Sequence, residues 1–320
     1  MNEIAMLPKN ELVSSGLSRE QFDLLVDQWL GELRKASTTK STYKTSIRVF
    51  TNYLETLENP TINRQTILDF LDDLEHGKDP RKPATINLYL TALKRFFGWL
   101  SIMYGLPDIT KGIDGLKVSK LHKRDPLTIS QTQELLNSID RSTEIGKRDY
   151  ALLCLLFTTG LRRVSVLEAN IGDRRTINDQ RVLLYRGKGR TEKQDIVKLT
   201  RHTEQALQEY LDTRKNVKAD DPLFAGAGNK NRGKRLNPGS LSRIFKQRLR
   251  DINIDDPRLS LHAARHSFAT NNLRAGATLE ETAQVLSHTS ISTTAIYDHS
   301  ITRMDNNSEQ RVEDLIFQQE

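Results

Sequence analysis

Apolar residues recur at helical spacing through the first third of the chain, separated by turn residues and without an alternating strand pattern. This spacing collects apolar side chains on one face of each helix and predicts a helical domain. The four stripes comprise Phe22, Leu25, Val26, Trp29, Leu30 and Leu33; Tyr43, Ile47, Phe50, Tyr53, Leu54 and Leu57; Ile67, Leu68, Leu71 and Leu74; and Ile86 through Leu100. Ser18 is the predicted N-cap of the first helix, and Pro60, Gly77, Pro83 and Gly105 mark helix ends or starts.

The rest of the chain mixes helical and strand patterns. Val182–Tyr185 and Ile196–Leu199 flank the polar stretch 186–195, which predicts a β-hairpin with a long turn. Helices are predicted after Thr128, across the apolar run Tyr150–Phe157, from His202 to Tyr210 and from Ser240 onward. We therefore predict a mainly α fold with a small β-sheet, in which a helical N-terminal domain precedes a mixed α+β domain.

The length of the chain predicts two domains, because 320 residues exceed the roughly 100–200 residues typical of one domain. A boundary is predicted at 117–126, where 117–124 contain four cationic residues and no acid, and Pro126 follows. The predicted division is a tail at 1–17, a helical domain at 18–116, a basic linker at 117–126, and a second domain at 127–320 that ends in a further helix.

Basic residues are unevenly distributed. The chain has 48 Lys and Arg against 41 Asp and Glu, a net charge of +7. Residues 1–116 contain 14 of the basic and 15 of the acidic residues, which leaves 34 basic and 26 acidic residues, a net of +8, for the remainder. Within that remainder, 225–250 has eight Lys or Arg and no acid. This distribution favours a polyanionic partner for the second domain.

Neither a membrane span nor a disulfide framework is predicted. The longest apolar run, Tyr150–Phe157, has eight residues, against the roughly 18 needed to cross a bilayer. The polar start of the sequence lacks the apolar core of a secretory signal. The single cysteine, Cys154, lies inside the apolar run and is predicted to be a buried packing residue. We expect a cytoplasmic protein without a membrane partner.

Two glycine-containing clusters place a cation beside a break in regular structure. Thr159-Gly160-Leu161-Arg162 ends the apolar run, so that an arginine follows the helix-breaking glycine. Gly187-Lys188-Gly189 lies in the hairpin turn, where the glycines leave the lysine without neighbouring side chains. It is not a Walker A loop, because Gly189 stands where that motif needs Ser or Thr. Taken singly, a structural ion pair for Arg162 and a solvated turn lysine are the alternatives.

The third cluster, His262-Ala263-Ala264-Arg265-His266, is followed by Leu286-Ser287-His288, a Ser/Thr-rich segment at 292–294 and Tyr297. His262 and Arg265 are three positions apart and share a helical face, where an imidazole and a guanidinium can bind one anion. In isolation, Tyr297 has the usual interpretation of a buried tyrosine with a satisfied hydroxyl. A zinc site is disfavoured, because no carboxylate or cysteine lies at ligand spacing from the histidines and arginine is not a ligand.

Taken in order, these motifs resemble those of the tyrosine recombinase, or phage integrase, family. The resemblance runs from about Asp125 to Asp298, and the helical region and basic linker fit a Cre-like or Xer-like two-domain layout. About twenty residues precede the first predicted helix, fewer than the arm-site domain of lambda-type integrases requires. The resemblance implies a C-shaped DNA clamp made of a helical core-binding domain and a tyrosine recombinase catalytic domain.

The resemblance implies a site-specific recombinase that cuts and rejoins DNA through a 3′-phosphotyrosyl intermediate and a Holliday junction, as in integration, excision or resolution of mobile DNA. Arg162 and Arg265 resemble the arginines that clamp the scissile phosphate. Lys188 resembles the general acid for the leaving 5′ oxygen, and His288 resembles a further donor to the phosphate oxygens.

Tyr297 resembles the nucleophile of the family, and His262 resembles the proton acceptor near its hydroxyl. A tyrosine with an unperturbed pKa of about 10 needs such a base or a positive field to deprotonate. No cofactor and no metal are expected, because the cations neutralise the phosphate and the covalent bond conserves the energy of the broken phosphodiester.

Three positions depart from the family pattern. Ser165 stands three positions after Arg162, where an acid usually supports the site, so either another group substitutes or activity is weakened. Ser287 stands where glycine is commonest, which bears on backbone geometry beside His288, and Ala264 stands where a larger apolar residue is frequent. We expect both of these replacements to be tolerated.

The implied partner is double-stranded DNA with inverted-repeat core sites, on which the protein is nucleoid-associated. Candidate DNA contacts in the helical domain are Lys44, Arg81, Lys82, Lys94 and Arg95, with a solvated face as the alternative. A homotetramer is implied, formed by exchange of the C-terminal helix within 301–320; intramolecular packing of that helix is the alternative. The competing functions are a type IB topoisomerase-like enzyme, and a DNA-binding family member whose site is weakened at Ser165.

Overall fold

The computed structural model describes residues 19–58, 61–118, 126–288, 290–292, 294, 295, 297 and 308–317. The chain divides into two compact units, Met1–Ser119 and Lys120–Glu320. The predicted tail at 1–17, the predicted N-cap Ser18 and positions 119–125 of the predicted linker lie outside the described residues. The domain boundaries drawn from the sequence therefore stay predictions.

The first unit contains four helices, counted over the described residues. They are α1 (Arg19–Glu32), α2 (Ser37–Leu54), α3 (Arg64–His76) and α4 (Pro83–Tyr104). Asn63 caps α3 by accepting a hydrogen bond from the Thr66 amide (3.0 Å), and Gly105 ends α4 in left-handed conformation. The apolar stripes meet in an aromatic core in which Phe96 packs edge-on against Trp29 at a centroid distance of 5.5 Å.

The second unit combines eight helices with three strands among its described residues. They are α5 (Ile129–Asn137), α6 (Glu144–Thr159), α7 (Arg163–Glu168), β1 (Arg174–Ile177), β2 (Gln180–Tyr185), β3 (Asp195–Lys198), α8 (Arg201–Leu211), α9 (Pro238–Arg250), α10 (Leu261–Arg274), α11 (Leu279–Val285) and α12 (Ser308–Phe317). The apolar run lies in α6, where residues 151–156 are all buried and pack against α8 and α10. Cys154 belongs to this core, and burial raises the pKa of its thiol to about 11.

The β-sheet is antiparallel with strand order β1-β2-β3. The predicted hairpin corresponds to β2 and β3, in which Tyr185 pairs with Asp195 across the long turn. β1 was not predicted, because its four residues are mostly exposed and show no apolar alternation. Asn178 and Asp179 join β1 to β2 with φ of +47° and +59°, as a two-residue type I′ turn requires.

The prediction of a mainly α fold with a small sheet is confirmed. Within the described ranges, no helix combines the length and the apolarity needed to cross a bilayer.

Candidate active site

Arg265 joins the ends of two other helices inside the second unit. It lies on α10, and its side chain is buried with 7% exposed. Nη1 donates to the Gly160 carbonyl after α6 (2.6 Å), and Nη2 donates to the Leu286 carbonyl after α11 (2.5 Å). Burial, followed by the positive charge of Arg162, lowers the pKa of Arg265 to about 10. The guanidinium is therefore still cationic at neutral pH.

Gly160 meets a steric requirement that explains the glycine of the first cluster. Its φ of +61° ends α6, and a Cβ there would lie 2.6 Å from Phe268 Cδ1 and 2.7 Å from Leu286 Cδ2. Only glycine fits without displacing these side chains. The turn brings Arg162 to the N-cap of α7, where its Nη2 donates to the Ser287 carbonyl (3.2 Å). The two predicted phosphate-clamping arginines thus bind consecutive carbonyls, those of Leu286 and Ser287.

Ser287 takes the left-handed backbone conformation, with φ of +48°. Glycine adopts that conformation without steric cost, whereas residues with a Cβ seldom adopt it. The Ser287 hydroxyl forms a 2.6 Å hydrogen bond with the Tyr185 hydroxyl at the end of β2. The replacement therefore adds a link between the sheet and the segment that binds the arginines.

His288 is half-buried beside the arginines. Its amide donates to the Ala283 carbonyl, and its Nδ1 lies 2.9 Å from Thr294 Oγ1. Burial, and then the charges of Arg265 and Arg162, lower the pKa of His288 to about 4, so the ring is neutral at pH 7. A neutral imidazole has a single N–H. For Nε2 to donate to a phosphate, the Thr294 hydroxyl must donate to Nδ1.

Tyr297 is buried, with 7% exposed, and packs against Ala269 and Leu286. Burial raises the pKa of its hydroxyl, and the charges of Arg265 and Arg162 oppose that rise. The Tyr297 hydroxyl is therefore protonated at neutral pH and needs a base to become a nucleophile. The two arginines act on the tyrosine electrostatically, which brings three of the predicted site residues into one environment.

The histidine ring that contacts Tyr297 is His266, at a centroid distance of 5.2 Å. His262, the predicted proton acceptor, is exposed one helical turn earlier, and its ring centroid is 6.2 Å from that of His266. No role was predicted for His266 from the sequence. The i, i+4 spacing from His262 was the available signal, because it places both rings on one face of α10.

Lys188 occupies the exposed tip of a tight turn between β2 and β3. The Arg190 amide donates to the Gly187 carbonyl (3.2 Å), and Gly189 supplies a φ of +81°. A Cβ on Gly187 would lie 1.9 Å from Asp195 Oδ2, so any other residue there would displace the Asp195 side chain. Among the described residues, the Lys188 side chain has no hydrogen bond or ion pair, so neither kind of bond joins it to Arg162, Arg265 or Tyr297.

Two of the five predicted DNA contacts in the first unit already have acidic partners. Lys44 Nζ lies 2.7 Å from Asp27 Oδ1, and Arg81 Nη2 lies 2.8 Å from Asp79 Oδ2. The side chains of the other three candidates have no hydrogen-bond or ion-pair partner within the described ranges; these are Lys82, Lys94 and Arg95. They are the better placed to bind phosphate, because no acid competes for them.

No group of three or more His, Cys, Asp or Glu residues suited to a metal ion occurs in the part of the chain that the structure describes.

Arg162, Arg265 and Tyr297 thus share one environment in the second unit. Comparison with known proteins identifies the class to which this arrangement belongs. The chain belongs to the phage integrase family of tyrosine site-specific recombinases. The model of the phage integrase family matches residues 126–303, and that of the phage integrase N-terminal SAM-like domain matches residues 26–101.

Curated relatives match most of the chain. Tyrosine recombinase XerC of Roseiflexus sp. (strain RS-1) is 31% identical over 88% of this chain and 89% of its own length. Tyrosine recombinase XerD of Listeria innocua serovar 6a is 30% identical over 82% of this chain and 88% of its own length.

Solved structures share the fold at lower identity. XerH recombinase, in a post-cleavage complex with its difH substrate, has a TM-score of 0.70 at 23% identity and covers 91% of this chain and 84% of its own. A lambda integrase tetramer bound to a Holliday junction has a TM-score of 0.64 at 14% identity and covers 86% and 76%.

Proposed function

We propose that this protein binds double-stranded DNA and recombines it at specific sites through a covalent 3′-phosphotyrosyl intermediate on Tyr297. The observation that carries the proposal is the shared environment of the buried Tyr297, Arg162 and Arg265. Both arginines oppose the rise in the tyrosine pKa. Their guanidinium groups are oriented by the Leu286 and Ser287 carbonyls and retain N–H groups for a phosphate.

In the proposed reaction, Tyr297 Oη bonds to phosphorus while its proton passes to His262, which shares one face of α10 with His266, the ring that contacts Tyr297. The P–O5′ bond breaks, its electron pair stays on the 5′ oxygen, and Lys188 supplies the proton. Arg162, Arg265 and His288 donate to the non-bridging oxygens as charge increases on phosphorus. A 5′-hydroxyl from a second duplex reverses these steps, so that exchange proceeds through a Holliday junction without a cofactor.

Supporting DNA contacts are proposed for both units separately. The second unit contributes Lys230, Lys234 and Arg243 of the basic stretch 225–250, whose side chains have no hydrogen-bond or ion-pair partner within the described ranges. The first unit contributes Lys82, Lys94 and Arg95, with Lys44 and Arg81 once their acidic partners yield to phosphate. DNA-bound XerH and lambda integrase support DNA as the partner. Inverted-repeat core sites follow from this proposal if two protomers bind one duplex symmetrically.

We further propose a tetramer held through α12. Its apolar side chains are exposed in the single chain: Val312 is 54% exposed, Leu315 75%, Ile316 65% and Phe317 71%. Such an apolar helix face is stabilised when another protein surface covers it. The lambda integrase tetramer on a Holliday junction supports a second copy as that surface.

A covalent-trapping experiment tests the proposed chemistry. Half-sites are first selected by binding from a randomised duplex library and are then nicked next to the cleavage position. The wild type is expected to form a protease-sensitive covalent adduct at a 3′ end, and Tyr297→Phe is expected to bind equally but form none, because it lacks the nucleophilic oxygen. Binding without an adduct in the wild type would indicate a weakened DNA-binding member. Site-independent relaxation of supercoiled plasmid would indicate a topoisomerase.

A further inference from the structure

Ser165 occupies the position at which the family usually carries an acid, yet it contacts the loop that holds Lys188. It is buried, with 4% exposed, and its hydroxyl donates to the main-chain carbonyl of Arg186 (3.2 Å). A serine hydroxyl can hold that carbonyl, but it has no charge with which to bind the Arg186 guanidinium.

Glu168 supplies that charge from the next turn of the same helix. Ser165 and Glu168 are three positions apart on α7 and so face the same side. The Glu168 carboxylate binds the Arg186 side chain at two points: Nε donates to Oε2 (2.9 Å), and Nη2 donates to Oε1. α7 therefore holds Arg186 by its backbone and by its side chain together.

This attachment lies at the base of the Lys188 turn. Arg186 directly precedes Gly187-Lys188-Gly189, and at the other end of the loop Lys193 Nζ donates to the main-chain carbonyl of Glu168 (2.8 Å). Glu168 is thus bound to both ends of the loop that presents Lys188. The ammonium of Lys188 itself has no partner among the described residues, so its position depends on the loop.

We propose that Glu168 is a positioning residue for Lys188 and replaces, one helical turn further on, the acid that is absent at Ser165. The inference rests on the proposed function, in which the P–O5′ bond breaks and Lys188 protonates the departing oxygen. Loss of the Glu168 charge weakens the hold on the Arg186 side chain and leaves the Ser165 bond to its carbonyl, so that the turn moves more and Lys188 is less often within reach of that oxygen.

A leaving-group substitution separates positioning of the acid from other effects. With a 5′-bridging phosphorothiolate in the scissile position, the P–S bond breaks and sulfur departs as a thiolate, which needs no proton. Glu168→Gln is expected to slow cleavage of the ordinary phosphodiester by about tenfold or more, and to cleave the phosphorothiolate within about twofold of the wild-type rate. Lys188→Ala is expected to show the same pattern more strongly.

Glu192→Gln is the matched control, because it removes the same charge from an exposed position of the same loop that does not bind Arg186. It is expected to leave both rates within about twofold of wild type. Equal slowing of both substrates by Glu168→Gln, or slowing of neither, would overturn the inference. A charge-swapped Glu168→Arg, Arg186→Glu protein is expected to recover part of the lost phosphodiester rate.

Hydrogen exchange tests the attachment without DNA. The Arg190 amide, which donates to the Gly187 carbonyl across the turn (3.2 Å), is expected to exchange about tenfold faster in Glu168→Gln than in the wild type or in Glu192→Gln, at unchanged thermal stability. Unchanged exchange in Glu168→Gln would reject the attachment even if cleavage fell. Faster exchange in a protein whose wild type forms no Tyr297 adduct would instead reject the proposed function and retain the attachment.

Discussion

At the scale of single residues, Ser287 combines an unfavourable backbone conformation with a favourable side-chain contact. Ser287→Ala keeps the φ of +48° and loses the 2.6 Å hydrogen bond to Tyr185, so we expect the free energy of unfolding to fall by about 1–2 kcal/mol. Ser287→Gly loses the same bond but removes the backbone strain, worth about 1 kcal/mol, and is expected to lose less.

Urea unfolding of the two variants and of Tyr185→Phe measures these terms. Tyr185→Phe removes the hydrogen bond from the other side and leaves residue 287 unchanged, so it reports the hydroxyl contribution alone. Equal stability of Ser287→Ala and Ser287→Gly would contradict the assignment of strain to this position.

The sequence motifs identify residue types better than they identify contacts. Gly160 and Gly187 could be singled out because glycine beside a cation breaks regular structure. The structure shows Gly160 to be sterically required, and a Cβ on Gly187 would displace the Asp195 side chain. The groups that orient Arg162 and Arg265 are main-chain carbonyls, which leave no side-chain signature. Glu168 was missed for a related reason: it acts through Arg186, far away in sequence, across a helix-to-loop contact that no local pattern reports.

At the scale of secondary structure elements, a buried carboxylate joins α6 to α9. Asp149 on α6 is 3% exposed and accepts hydrogen bonds from Nη2 of its neighbour Arg148 and Nη2 of Arg248 on α9, each at 2.7 Å. Removing one member of a buried charge network leaves the others unpaired, so Asp149→Ala is expected to lower the free energy of unfolding by about 3–5 kcal/mol.

Asp251→Ala is the control for Asp149→Ala, because Asp251 also pairs with Arg248 (2.9 Å) but is more exposed. Its expected loss is below about 1 kcal/mol, as for a solvent-exposed pair. Denaturant unfolding measures the loss of unfolding free energy in both variants. Similar losses would show that the buried contact between Asp149 and Arg248 stabilises the protein no more than the exposed pair does.

Helices were predictable at this scale because their burial is periodic, and the stripes of α1 to α4 lie in the core of the first unit except for Leu57 and Leu68, which are exposed. β1 was not, because an edge strand of mostly exposed residues gains its structure from pairing with β2 rather than from its own apolar pattern. The partner strand follows after only the two residues Asn178 and Asp179, so the missing signal was an apolar alternation in β1 itself.

At the scale of the whole molecule, the net charge of +8 outside residues 1–116 and the exposed apolar face of α12 serve different contacts. Positive charge favours binding to DNA, whereas an exposed apolar face favours contact with a protein surface. Val312, Leu315 and Ile316, at i, i+3 and i+4, form such a face. The sequence alone left intramolecular packing of this helix open; in the single chain these side chains are exposed, as the proposed contact with a second copy requires.

A paired substitution on α12 separates assembly from DNA binding. Leu315→Lys with Ile316→Lys places two charges on the exposed apolar face, so complexes of several protomers on paired sites are expected to be lost while one protomer still binds a single half-site. Glu313→Lys with Asp314→Lys introduces the same two lysines on the same helix outside the Val312, Leu315 and Ile316 stripe, and is expected to retain assembly. Sedimentation of protein–DNA complexes measures the number of protomers. Equal assembly by both double variants would reject α12 as the contact, and a large loss of monomer stability in the first would show instead that α12 packs within its own chain.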